Sequence, residues 1–172
     1  MKKSASLLAL SAALLLSGCG FHPMHGKYAA SAAAEKGAGL DTVEIANIRD
    51  ANGTYLRNAL IDRFYSGGYP SAPRYTLSIA PITEREVELD ITKSSEATRS
   101  QLRLETVMTL SDKQNPGSPV LQRELRSISS YNQLESEFAT HVTEQAARES
   151  GLNDLARQIE LNISLFLNRA AP

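Results

Sequence analysis

The sequence predicts an α+β fold, a two-layer sandwich in which an antiparallel or mixed sheet of about four strands is covered on one face by two helices, in the order β-α-β-β-β-α. Three observations predict it. Apolar residues alternate at period two in residues 75–79, 87–91 and 102–110, and they recur at helical spacing around residues 56–64 and from Phe138 onward. Clusters rich in Gly, Pro, Asn and Ser separate these segments. Strands and helices with one apolar face must bury it against each other, which gives the layered arrangement.

Val43, Ile45 and Ile48, with Leu40 beside them, predict a short strand running into the turn cluster at residues 49–53. A helix follows, because Leu56, Leu60 and Phe64 fall at i, i+4 and i+8 and Ala59 and Ile61 broaden that stripe. Asn52 is placed to cap it and Gly67-Gly68 to end it. Arg57, Asp62 and Arg63 lie off the stripe and read as a solvated face. After a connector at residues 69–73, Tyr75, Leu77 and Ile79 alternate with Arg74, Thr76 and Ser78. Val87, Leu89 and Ile91 continue that alternation on a long extended arm, and residues 93–96 read as a hairpin tip.

Leu102, Leu104, Met108 and Leu110 share one parity and define the returning strand. A turn at residues 112–119 leads to a last extended segment over 120–131. There Leu121, Arg123 and Leu125 share one parity and Arg126, Ile128 and Ser130 the other, so the alternation shifts and predicts a bulge or an edge strand. Val142, Ala146, Leu152, Leu155, Ile159 and Ile163 then mark a long terminal helix that Gly151 is placed to interrupt. Glu135 and Glu137 near its start and Arg169 near its end suit the helix dipole.

Ahead of this domain the chain has the layout of an export signal. Lys2 and Lys3 precede an almost wholly apolar run over residues 7–16, and Leu16-Ser17-Gly18-Cys19 places the single cysteine after small residues suited to a signal peptidase. The run is too short for a bilayer core, which needs about 20 apolar residues. Residues 1–18 are therefore expected to be a cleaved lipoprotein signal, residues 19–39 a lipidated N-terminus and flexible tether, and residues 40–172 one periplasmic domain. The sole thiol is consumed by lipid, so no disulfide forms within the chain. A bacterial lipid anchor carries two or three acyl chains, and stable attachment needs more than one. By analogy with enterobacterial sorting, Gly20 in the place where an Asp causes inner-membrane retention directs the protein to the outer membrane.

Loss of Lys2 and Lys3 leaves 16 basic against 19 acidic residues, a net charge of −3, and argues against nucleic acid as a partner. No G-x-S-x-G, H-E-x-x-H or phosphate-cradling Gly-rich loop is present, and no catalytic residue is assigned. Glu84, Glu86 and Glu88 share one strand parity and read as a solvated or partner-facing edge. Cys19, His22 and His25 have a clip-like spacing, but a zinc-ligand cysteine must be a thiolate and a lipidated one is a thioether, so no metal is expected.

Several features together carry a family resemblance: Cys-Gly-Phe-x-Pro-x-x-Gly at residues 19–26, the helix opening Leu56-Arg57-Asn58-x-Leu60, Ala97-Thr98-Arg99 in the long hairpin, and Tyr131 ahead of a helix near Phe138-Ala139. In this order and spacing the chain resembles the LptE family of lipopolysaccharide-assembly lipoproteins, in its alphaproteobacterial form. The resemblance implies a non-enzymatic outer-membrane lipoprotein, with no cofactor beyond the covalent lipid on Cys19. It also implies that the protein partners and plugs the β-barrel LptD, supports its assembly and helps to deliver lipopolysaccharide to the outer leaflet. Lipopolysaccharide carries phosphates, so its candidate contacts are basic. Lys93, Arg99 and Arg103 flank the hairpin tip, and Arg85 lies lower on the opposite arm. The competing expectation is an autonomous periplasmic lipid carrier, which would need an apolar cavity of a few hundred Å³, or a scaffold lipoprotein.

Overall fold

The computed structural model describes residues 39–91 and 97–170. Cys19, the tether and Lys93 lie outside the described residues. The strands are β1 (Val43–Ile45), β2 (Tyr75–Ile79), β3 (Thr83–Ile91), β4 (Ala97–Asp112) and β5 (Asn115–Asn132). The helices are α1 (Asp50–Phe64) and α2 (Glu137–Ala170), and a short 3-10 turn, Leu40–Thr42, precedes β1. The expected α+β sandwich is the architecture found, with a mixed sheet of five strands.

The long β4 organises the sheet. One of its edges is shared, with β2 paired along residues 108–112 and β3 along residues 97–105, and the other edge is taken by β5. β1 adds to β2 in parallel, and every other pairing is antiparallel. Leu102, Leu104, Met108 and Leu110 of β4 point to one face and are buried beneath the helices. Leu56, Leu60 and Phe64 of α1 and Leu152, Leu155, Ile159 and Ile163 of α2 pack onto this face. Each fully buried side chain of this kind contributes about 1.5–3 kcal/mol relative to exposure.

The extended arm over residues 75–91 is not one strand, and this corrects the expected alternation. Ile79 pairs with Met108 but Thr83 pairs with Glu105, so the register slips by one residue across Ala80, Pro81 and Ile82. Pro81 cannot donate to a ladder. Ala80 holds the irregularity in place, its N–H donating to the Val107 carbonyl at 2.9 Å and its carbonyl accepting from the Thr106 hydroxyl at 2.8 Å. A one-residue slip sends every later side chain to the opposite face. Glu84 and Glu86 consequently lie on the helix side of the sheet, while Val87 and Leu89 lie on the helix-free side.

The last hairpin turns at Lys113-Gln114, so β5 begins earlier than expected, and the Gln114 N–H donates to the Asp112 carboxylate at 2.8 Å. Of the two alternatives expected for β5, the edge strand is the one found, and no bulge separates residues 121–125 from 126–130. The register shifts opposite Ser111 and Asp112, then stays constant from Leu121 to Asn132, and β5 forms an edge of the sheet.

α1 starts at Asp50, and its capping differs from the expected one. Asp50 has φ 69°, and its carboxylate accepts from the Gly53 N–H at 2.8 Å. Asn52 is released from capping and donates instead to Glu84 at 3.1 Å. At Gly53 a Cβ would sit 2.6 Å from Ile48 Cγ2 and 3.1 Å from the Ile48 carbonyl carbon, so glycine is what lets the entering chain cross the helix. α2 runs unbroken through Gly151, where a Cβ would stand 2.8 Å from Leu104 Cδ1. The glycine therefore serves a close approach of helix to sheet and does not interrupt the helix. Arg63, read as solvated, bonds Glu160 of α2 at 3.1 Å, and Tyr55 accepts from Asn153 at 3.0 Å. These contacts tie the two helices side by side. No described helix is long and apolar enough to cross a membrane.

Candidate functional site

The helix-free face of the sheet gathers three of the four predicted contact residues. On β3 and β4, Arg85 stands directly opposite Arg103, and Arg103 is in turn opposite Ile128 of β5. Residues paired across antiparallel strands have Cβ atoms about 4.5–5.5 Å apart, and like charges so placed are destabilising. Arg99 shares this face four residues along β4, about 13 Å away at strand rise. It is exposed and lies opposite Asn132. Lys93 falls outside the described residues.

Among the described residues, no carboxylate pairs with Arg85 or Arg103. Arg103 donates through Nε to the neutral Gln101 at 2.9 Å. The next row is different, because Arg126 of β5 faces Glu105 and pairs with it at 3.2 Å. Apolar side chains stand among the guanidiniums: Ile128 is 49% exposed and Leu89 48% exposed. The face thus presents positive charge beside accessible hydrocarbon, with Asp90 of β3 at the register position opposite Arg99. Guanidinium groups bind phosphate bidentately, and the apolar side chains offer contact to acyl chains.

On the covered face a second polar cluster links three elements. Arg148 of α2 donates to both oxygens of Glu84, Nε at 3.1 and 3.0 Å and Nη2 at 2.7 Å, and it also reaches Glu144 one turn earlier. Hydrogen bonding from Arg148 holds the Glu84 carboxyl below the usual range against the opposing effect of burial; the positive charge of Arg148 and the Asn52 amide add to it. Arg148 is shifted upward in return, chiefly by its bond to Glu84. Beside it the Tyr131 hydroxyl donates to Glu86. Burial, reinforced by that bond and by the negative charge of Glu86, pushes Tyr131 up to about 12. Glu84 and Glu86 therefore remain exposed at the edge of the sheet but are tied to α2 and β5 through Arg148 and Tyr131.

Sequence reasoning missed Arg126 and Ile128 as members of the open face. The alternation over residues 126–130 carried that signal, but which face was open depended on the strand's neighbours. Among the described residues, no group of three or more His, Cys, Asp or Glu side chains converges on a point that could hold a metal.

A family model, LptE, lipopolysaccharide-assembly, matches residues 40–163. No curated protein sequence matches the chain. Among solved structures, a chain from Caulobacter crescentus described as a lipoprotein superposes with a TM-score of 0.61 at 22% identity, over 78% of this chain and 97% of that one. The rare lipoprotein B of Shewanella oneidensis gives 0.59 at 8% identity, covering 76% and 98%. A minor lipoprotein of Acinetobacter baumannii gives 0.52 at 26% identity, covering 74% and 90%. The two lower identities carry the fold alone, and the family match adds its biological setting: the chain belongs to the LptE family of lipopolysaccharide-assembly proteins.

Proposed function

We propose that the protein is an outer-membrane lipoprotein, held by acyl chains on Cys19, that acts without catalysis as the partner of an LptD β-barrel. In that role it plugs the barrel, supports its assembly and meets lipopolysaccharide on the way to the outer leaflet. The observation that carries this reading is the Arg85–Arg103 pair on the helix-free face, with Arg99 on the same face. Two opposed guanidiniums store repulsion that an anionic ligand relieves, and phosphate is the anion their geometry suits. Ile128 and Leu89 beside them favour an amphipathic ligand over a free inorganic anion. Lys93 is expected to extend the basic surface toward the hairpin tip.

The barrel partnership is supported by the character of the same face. A porin-type lumen is polar, and the Glu105–Arg126 pair, with Thr109 and Gln122 paired farther along it, offers the matching polar surface. The test is a detergent pull-down of the lipoprotein from outer membranes, with cross-linkers placed at Gln101 and Ser130. Recovery of a large β-barrel cross-linked at these positions supports the plug. Recovery of lipid with no barrel overturns it in favour of an autonomous carrier. In parallel, Arg85→Ala combined with Arg103→Ala is expected to reduce co-purified lipopolysaccharide several-fold.

A further inference from the structure

Among the described residues the sheet has three free edges, and β5 is the one left open to a strand. At β1, the Tyr65 hydroxyl accepts from the Ile45 N–H at 3.1 Å and donates to the Val43 carbonyl at 3.0 Å, which closes that edge. β3 protects itself by the means that discourage strand addition: charged residues directed inward at Glu84 and Glu86, and register shifts at residues 88–91. β5 has neither defence between residues 127 and 130. Its sequence there is Ser-Ile-Ser-Ser, and its register is constant from Leu121 to Asn132.

Helix α2 caps this edge at two points. Gln158 donates to the Arg126 carbonyl at 3.0 Å and Thr143 to the Asn132 carbonyl at 3.2 Å. In an antiparallel ladder, alternate residues turn both backbone groups away from the paired strand. Because Arg126 and Asn132 point outward, Ile128 and Ser130 between them do so too, and neither meets a backbone or side-chain partner among the described residues. Beside this window lies a groove of about 650 Å³, walled on the helix side by Thr143, Ala146, Ala147 and Ser150 and bordered by Arg99 of β4. These short side chains leave room for an added backbone.

We propose that the Ile128–Ser130 window of β5 is a strand-addition site that receives a short extended segment, free of basic residues, of a partner polypeptide. Donors and acceptors repeating at strand spacing match an extended backbone. The Thr143 and Gln158 caps bound the window on both sides, so it fits a single short segment and not the sheet edge of a second copy. The lining is otherwise of small and neutral side chains, with Arg99 as its one charged member, and so disfavours a basic segment. This inference does not depend on the lipid reading of the open face.

The probe is a capped peptide, acetyl-Thr-Val-Thr-Val-Thr-amide, added at millimolar concentration to the full lipoprotein in detergent, with amide hydrogen exchange followed residue by residue. Exchange at Ile128 and Ser130 is expected to slow by about tenfold. A peptide N-methylated on the amides that face β5 should have no effect. Ser130→Pro removes only an outward N–H, as edge strands tolerate, so it should keep the melting temperature and lose the protection. If that variant does not fold, the N-methylated peptide decides the matter alone. Unchanged exchange at both amides overturns the proposal, as does equal slowing by the N-methylated peptide. Protection that appears without peptide and rises with protein concentration, together with a doubled mass, assigns the edge to a second copy and also overturns it.

Discussion

On the proposed function, Arg85 and Arg103 are placed where stability and ligand binding pull in opposite directions. Replacing Arg103 by Glu turns a like-charged cross-strand pair into an opposite-charged one, which is expected to raise stability by about 0.2–1 kcal/mol. Denaturant midpoints measure that gain, and lipopolysaccharide binding to the same variant should fall. A variant that is more stable and binds equally well removes these residues from the ligand site. At Gly53 the expected sign is reversed. Alanine there favours the helix by about 1 kcal/mol, but its Cβ meets Ile48 at both side chain and backbone. Overpacking of this kind costs about 1–3 kcal/mol, so Gly53→Ala should lower the urea midpoint. Tyr131 sets a limit at high pH. Its folded pKa is raised to about 12 from 10.0, so its contribution is complete below pH 10 and is lost as pH rises from there through 12. Tyr131→Phe should abolish that alkaline slope in a stability profile.

At the scale of elements, Glu84 joins β3 to both helices, accepting from Arg148 on α2 and from Asn52 on α1. The carboxyl is shifted downward in the folded protein. Its contribution is therefore present above the unfolded value, about 4.3 for Glu, and disappears as pH falls through the lower folded value. Glu84→Gln should flatten the loss of stability between pH 5 and 3 and lower stability at pH 7, read by urea midpoints across that range. None of this clamp is visible in the sequence, where Glu84, Glu86 and Glu88 look like a solvated parity. The slip at residues 80–82 reversed their direction, and a single proline in an otherwise alternating arm is too little local signal to fix which face follows it. The returning strand was legible because its buried residues keep one parity from Leu102 to Leu110 with no bulge between. The helices were legible for a similar reason, since Leu56, Leu60 and Phe64 keep their stripe whatever the rest of the chain does.

The whole molecule combines an anchor expected from the first 19 residues with a domain that assigns its two sheet faces to different tasks. One face is spent on the helices, and the other is left open with cations and hydrocarbon together. Exchanging residues 1–19 for a non-lipidated export signal should release the protein from membranes without moving its melting temperature, as membrane fractionation and a thermal scan would show. Retention in the membrane fraction would place the attachment in the domain itself.

The sequence by itself determined the α+β class, the apolar stripe of α1 and that of α2 from Leu152 onward, the parity of β4 and the family. Each of these is written in local periodicity or in short motifs, and neither needs a distant partner to be read. Tertiary structure alone decided which face of β3 is covered, that Arg85 and Arg103 oppose each other, and that α2 caps β5 at Arg126 and Asn132 while leaving the window between them unpaired. Those outcomes depend on register between strands and on where α2 leans over the sheet edge. A one-residue slip changes them all while leaving the local pattern on either side intact.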